Sequence, residues 1–179
     1  EEVSINSQEL VDLLGLNLFE IDLEEVGYIE EIEVYYNLYY KTGTDTPYQS
    51  TVEILSYKNL SRGDFDSFIL SIVFDNELII EEEKIGINGL LSSDKEDNIS
   101  IGNKVENISD YVDSNFVYKE IAPEVKIKPN QKNSVYRIYG NPEDKGISSE
   151  LDLYQKEVTE QMKEEFEFIT DIQIKLIEE

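Results

Sequence analysis

The side-chain chemistry open to this chain is narrow, because the sequence contains no cysteine, no histidine and no tryptophan. Disulfides, thiolate metal sites, cysteine nucleophiles and imidazole bases are therefore excluded. The sequence also lacks the G-x-S-x-G motif of serine hydrolases and the glycine-rich motifs of nucleotide-binding loops. We predict a protein with no catalytic residues and no cofactor, which is not an enzyme.

Carboxylates are the abundant reactive groups, with 40 aspartates and glutamates in the chain. Asp94, Glu96, Asp97 and Asn98 offer oxygen ligands of the kind that Ca²⁺ prefers, but without the spacing and central glycine of an EF-hand loop. The run of glutamates at 81–83 is typical of a charged sheet edge that discourages aggregation. No pair of acids stands out as a glycosidase pair would. We therefore predict no metal site and no catalytic carboxylates.

The tyrosine-rich stretch YIEEIEVYYNLYY, residues 28–40, reads as a strand with two different faces. Aromatic and β-branched residues on alternate positions favour a packed sheet face. Glu30 is the one misfit in this alternation. We predict that the following residues of this face belong to the core: Tyr28, Ile32, Val34, Tyr36, Leu38 and Tyr40.

The opposite face of this strand carries Tyr35 and Tyr39 beside Glu33 and Asn37. A tyrosine combines a flat apolar ring with a polar hydroxyl, which suits contact with carbohydrate or peptide. Tyr35 and Tyr39 are therefore candidate ligand-binding residues. The simpler interpretation is a solvated outer face of the sheet.

Positive charge is concentrated in one segment of a chain whose net charge is −25. Residues 1–40 contain no lysine or arginine, whereas residues 119–137 contain more basic than acidic side chains. Within that segment Lys126 and Lys128 alternate with apolar residues, so a short strand at 124–128 would place both on one face. Lysines of this kind protect an exposed sheet edge. The alternative is that they bind an anionic ligand or an acidic neighbour.

Short alternating stretches recur between turn residues throughout the chain, which indicates an antiparallel fold. We predict a mainly β protein, an antiparallel β-sandwich or open barrel with one short N-terminal helix between Asn6 and Gly15. Residues 1–179 are expected to form a single β-rich domain, with a subdivision near 88–98 as the alternative. The predicted strands are 28–40, 49–57, a hairpin over 66–87 with its turn at Asp75 and Asn76, pieces around 99–101 and 115–121, then 124–128, 133–140, 149–158 and 165–177 after a turn or short helix.

The composition favours a binding protein over other functional classes. Its acidity repels nucleic acid, and no apolar run is long enough to span a membrane. We expect a non-enzymatic, extracytoplasmic bacterial domain, secreted or carried by a lipid anchor upstream of Glu1, that binds a protein or peptide. The composition is similar to that of small lipoproteins of low-GC Gram-positive bacteria, a likeness that no motif carries. The alternative is a cytoplasmic acidic inhibitor, such as an immunity protein or nucleic-acid mimic that binds a basic partner.

Overall fold

The computed structural model of the protein describes residues 16–41, 48–61, 63–75, 84–95, 97–112, 115–123, 126–147 and 150–179. Within these ranges the chain is mainly β, as predicted. The helices of the described residues are short, α1 at Leu23–Val26 and α2 at Glu160–Glu165. The strands are β1 Leu16–Asp22, β2 Ile29–Tyr40, β3 Tyr48–Tyr57, β4 Ser67–Asp75, β5 Lys84–Ser92, β6 Ile99–Asn107, β7 Phe116–Ile121, β8 Lys132–Pro142 and β9 Phe168–Glu178.

The chain divides into two compact units, one of residues 1–25 and 63–109 and one of residues 26–62 and 110–179. The first contains a four-stranded sheet in the order β1-β4-β5-β6, and the second a five-stranded sheet in the order β3-β2-β9-β8-β7. Every described strand pair is antiparallel, and neither sheet is closed into a barrel by the strands described. The number of domains stays a prediction.

In the first unit, β4 and β5 have the alternation that makes a strand with one buried face. They pair as the two antiparallel arms of a hairpin, as predicted. The predicted turn at Asp75 and Asn76 is wrong, because Asp75 lies opposite Lys84 and the return strand runs from Lys84 to Ser92, opposite Ser67. The buried side chains of these arms include Phe68, Leu70, Ile72, Ile85, Ile87 and Leu91.

Strand β2 runs through the tyrosine-rich stretch and confirms most of its predicted core face. The prediction that Tyr28 belongs to the core is wrong, because its side chain is 50% exposed. The register of β2 against β9 shifts between Ile29 and Glu31, so that Glu30 is an extra residue and Ile29 takes the inward position. Tyr40 is half-buried. The predicted core residues that are buried are Ile32, Val34, Tyr36 and Leu38.

Strand β3 contains a second bulge in its pairing with β2. Val34 lies opposite Leu55 and Tyr35 opposite Glu53, so Ile54 is the extra residue. Leu55 is buried, whereas Val52 on the same edge strand is 52% exposed.

Strand β9 is the predicted terminal strand, and it lies at the centre of the five-stranded sheet between β2 and β8. Helix α2 precedes it, as predicted. Phe166 does not share the strand's core face, because it ends α2 and packs with Tyr139 instead, at 4.7 Å between ring centroids. The alternating residues of β9 that are fully buried are Phe168, Thr170, Ile172, Ile174 and Leu176.

Two predicted short strands are wrong. Residues 126–128 form a loop, because the amide side chain of Asn133 exchanges hydrogen bonds of 3.0 Å with the backbone N–H and C=O of Lys128. Residues 150–158 form turns, one of them fixed where the Tyr154 N–H donates to Asp152 Oδ1 at 3.1 Å. Leu153 is nevertheless buried, since this segment covers one face of the sheet.

Several predictions fall on residues outside the described ranges. They concern the N-terminal helix from Asn6 to Gly15, Asn76, the glutamates at 81–83 and Glu96.

Gly140 in β8 lies at a position that has no room for a side chain. A Cβ atom there would lie 2.9 Å from Cε1 and 3.0 Å from Cδ1 of Tyr118 on β7. Gly86 in β5 is the contrasting case, since a Cβ atom there meets no atom within 4 Å.

Candidate functional site: a polar cleft on the five-stranded sheet

The five-stranded sheet has two faces. Tyr36 lies on one of them, and the other carries polar side chains on three adjacent strands. Antiparallel pairing aligns Asn37 of β2 with Asp171 of β9, and Asp171 with Arg137 of β8. One step along, Tyr35 lies opposite Gln173, and Gln173 opposite Ser134. Because residues directly opposite each other point to the same face, these side chains form one surface. We call it the polar face: Tyr35, Asn37, Tyr39, Lys132, Ser134, Arg137, Asp171 and Gln173.

A β-bulge in β8 brings two donors to one carboxylate. The register of β8 against β9 shifts between Ser134 and Tyr136, so that Val135 is an extra residue. Ser134 and Arg137 are three apart and would point to opposite faces of a regular strand; the bulge turns both toward Asp171. Ser134 Oγ donates to Asp171 Oδ2 at 2.9 Å, and Arg137 Nε donates to Asp171 Oδ1 at 2.9 Å.

Arg137 is completely buried and has a partner for each nitrogen of its guanidinium group. Besides Asp171, its Nη1 donates to the carbonyl of Gln155 and its Nη2 to the carbonyl of Lys156 at 2.6 Å. Nη1 also lies 3.5 Å from the hydroxyl of Tyr139. A buried charge is tolerated when it is paired and hydrogen-bonded in this way. The contacts tie the segment around residues 155–156 to the sheet.

The Arg137–Asp171 pair is ionised at neutral pH. Burial raises the pKa of Asp171 to about 6, while the charge and hydrogen bond of Arg137 and the hydroxyl of Ser134 oppose this rise. Each carboxylate oxygen of Asp171 accepts one hydrogen bond from within the protein, and the residue is 2% exposed.

A cleft of about 370 Å³ lies where the segment around residues 155–156 meets the polar face. This volume falls in the range of small-molecule sites, about 300–1,000 Å³. The residues that line the cleft are Tyr39, Gln131, Lys132, Lys156, Glu157, Val158, Asp171 and Gln173.

The two lysines of the cleft make no ion pair with any described residue. Lys132 Nζ lies over the ring of Tyr35, 3.9 Å from its centroid. Lys156 Nζ donates to Gln131 Oε1 at 3.2 Å. Each ammonium group keeps donors to spare, because an ammonium carries three.

The predicted tyrosines lie at this site, with different roles. Tyr39 lines the cleft and is half-buried. Tyr35 lies beneath Lys132, and its hydroxyl donates to Glu33. Burial raises the pKa of both hydroxyls, helped by Glu33 at Tyr35 and by Asp171 at Tyr39. Both therefore stay protonated at neutral pH.

The predicted lysines do not line the cleft. Lys126 and Lys128 are exposed in the loop before β8. From the same basic segment the sequence supplies Lys132 instead. The sequence analysis missed this residue, as it missed Lys156, although both are polar positions next to predicted strand ends.

The buried pair was missed as well, although the sequence carries a signal for it. Arg137 and Asp171 are the single charged residues of the stretches SVYRIYG and FITDIQI, whose other residues are uncharged and mostly apolar or aromatic. A lone charge in a buried strand needs a partner. The sequence does not say that these two residues, far apart in the chain, lie opposite each other.

Comparison of the chain with protein-family models, with curated proteins and with solved structures finds no match. Neither α1 nor α2, the helices of the described residues, has the length and apolarity to cross a membrane. In the described ranges no group of three or more acidic side chains is placed to hold a metal ion.

Proposed function

We propose that the protein is a non-enzymatic binding domain that acts outside the cytoplasm of a bacterium, secreted or held at the surface by a lipid anchor. Its ligand occupies the cleft beside the polar face. The observation that supports this most directly is the cleft itself, whose wall is fixed by the fully partnered Arg137–Asp171 pair. The finer fold prediction, an antiparallel sandwich or open barrel, is part of the proposal.

The state of the polar groups favours binding over catalysis. A general base needs a free proton acceptor near its substrate. Asp171 already accepts two hydrogen bonds, and the raised pKa of Tyr39 keeps its hydroxyl protonated. Part of the cleft lining is preorganised, because Tyr39 and Gln173 lie on interior strands of the sheet, which is how a binding site avoids ordering costs.

The test is a titration of the ¹⁵N-labelled protein, followed by NMR, with four probes: D-glucose, D-glucuronate, triglutamate and trilysine. We expect at least one probe to shift the amide signals of Gln131, Lys156 and Gln173. Gln131→Ala should weaken that binding, and Gln49→Ala, an exposed glutamine of the same sheet outside the cleft, should leave it unchanged. If no probe moves these signals, or both variants bind alike, the cleft is not the site.

The location is tested by fractionating the source cells. Recovery from the membrane or the medium supports the proposal. A cytosolic protein that is captured by a basic protein at low salt and released at high salt would contradict it and favour the acidic inhibitor instead.

A further inference from the structure

Most side-chain oxygens that line the cleft already accept a hydrogen bond within the protein, whereas several donors of the lining have no acceptor among the described residues. Each side-chain oxygen of Asp171 already accepts one hydrogen bond, Gln173 Oε1 accepts from Asn37 Nδ2 at 2.9 Å, and Gln131 Oε1 accepts from Lys156 at 3.2 Å. The ammonium groups of Lys132 and Lys156 retain donors that no described acceptor uses. A ligand that fits such a wall brings acceptors, and an ammonium group donates its strongest hydrogen bonds to an anion.

The charge balance of the cleft runs against that of the chain. The net charge of the whole sequence is −25. In the cleft, Asp171 is neutralised by Arg137, which leaves the ammonium groups of Lys132 and Lys156 against the carboxylate of Glu157. The cleft therefore has a small excess of positive charge in a protein that otherwise repels anions.

The rest of the lining suits a sugar ring better than a peptide. Strands β8, β9 and β2 are interior strands, so at the floor of the cleft a peptide finds no free strand edge to pair with. Tyr39 and Val158 supply apolar surface of the kind that a pyranose ring contacts. Glu157 and the amide of Gln131 are planar polar groups that match neighbouring hydroxyls.

The geometry points to an acidic sugar, a pyranose unit with a carboxylate, as the ligand of this cleft. The inference rests on the function proposed above and names its ligand class. The carboxylate lies between Lys132 and Lys156, the ring faces Tyr39, and Glu157 accepts hydrogen bonds from ring hydroxyls.

D-glucuronate and D-glucose form the deciding pair of probes, because they share a ring and differ in the carboxylate. We expect glucuronate to shift the amide signals of Gln131, Lys156 and Gln173 in the labelled protein, with an affinity at least tenfold above that of glucose. Lys132→Gln and Lys156→Gln should each weaken glucuronate binding about tenfold or more, since hydrogen bonds to charged groups contribute about 1.5–3 kcal/mol. Lys104→Gln is the control, a lysine of the other unit in an exposed pair with Glu106.

The outcomes separate this inference from the proposed function. Glucose binding as tightly as glucuronate would overturn the acidic ligand while keeping a binding cleft. Triglutamate or inorganic phosphate binding as tightly as glucuronate would overturn the sugar, because any anion would then suffice. Equal losses in Lys156→Gln and Lys104→Gln would show that the response does not come from the cleft.

Discussion

Replacing Arg137 by methionine tests the buried pair directly. The substitution leaves the carboxylate of Asp171, 2% exposed, without its counter-ion, and it removes the donors of the carbonyls of Gln155 and Lys156. Removing one partner of a buried ion pair costs about 3–5 kcal/mol. Since domains of this size are stable by only about 5–15 kcal/mol, the loss is a large part of the free energy of unfolding.

The loss should depend on pH with a defined sign. The pKa of Asp171 is about 6 in the folded protein, above its unfolded value of about 3.9. The stability that its protonation adds is therefore fully present below about pH 4 and is lost as pH rises through about 6. Without Arg137, which lowers this pKa, the pKa rises further. The variant should consequently lie closer to the wild type at pH 5 than at pH 7.

The assay is urea unfolding of the wild type and Arg137→Met at both pH values. Lys104→Met is the control, since the exposed pair with Glu106 contributes at most about 1 kcal/mol. If Arg137→Met does not fold, Arg137→Met combined with Asp171→Leu keeps the test open, because an apolar pair removes the stranded charge. We expect the free energy of unfolding of the double variant to exceed that of the single variant by about 2 kcal/mol. A single variant that loses no more than the control, or loses equally at both pH values, refutes the reasoning.

Three further predictions concern stability. Tyr36→Ala should lower the free energy of unfolding by about 3–5 kcal/mol because it empties a core site, and Tyr35→Ala should cost clearly less; equal melting temperatures for the two variants would show that the faces of β2 are assigned wrongly. Gly140→Ala should cost about 1–3 kcal/mol, since the ring beside it must move, whereas Gly86→Ala, with open space around it, should stay within about 0.5 kcal/mol of the wild type in the same urea assay. Ending the chain before Phe168 removes the central strand of the five-stranded sheet and should unfold the second unit, so dispersed NMR amide signals from β2 and β8 in that truncated protein would contradict the topology.

The regular strands could be predicted from the sequence because burial of one face imposes a period of two. Strand β9 is an example, since its alternating residues read correctly from the sequence. The bulges could not be predicted in the same way. An extra residue at Glu30, Ile54 or Val135 changes the face of everything beyond it, yet the sequence shows at most a single misfit such as Glu30 and does not identify it as a bulge.

Loops that bury alternate residues mislead the same reasoning. Leu151 and Leu153 have the spacing of a strand, but they belong to turns and cover a sheet face rather than extend the sheet. Periodicity reports which side chains are buried. It does not report whether the backbone groups between them are paired with another strand or fixed by side chains such as Asp152.

The candidate site could be predicted only in part, because it depends on register. Tyr35 and Tyr39 were recognisable from one strand alone. Arg137 and Asp171 acquire meaning only when β8 and β9 are aligned, and the bulge at Val135 makes that alignment. A site assembled across strands is thus visible in the sequence as separate exceptions to an apolar pattern.

The buried pair has a role that stability alone does not explain. An apolar pair of similar volume is often as stable as a buried ion pair. What an apolar pair cannot do is hold the carbonyls of Gln155 and Lys156, and through them the lysine and glutamate side chains of the cleft wall. If positioning is the role of Arg137, the double variant with methionine at 137 and leucine at 171 should fold and yet bind glucuronate at least tenfold more weakly than the wild type. A double variant that recovers both stability and binding would show that the cleft wall is held by packing, and that the pair only fills space.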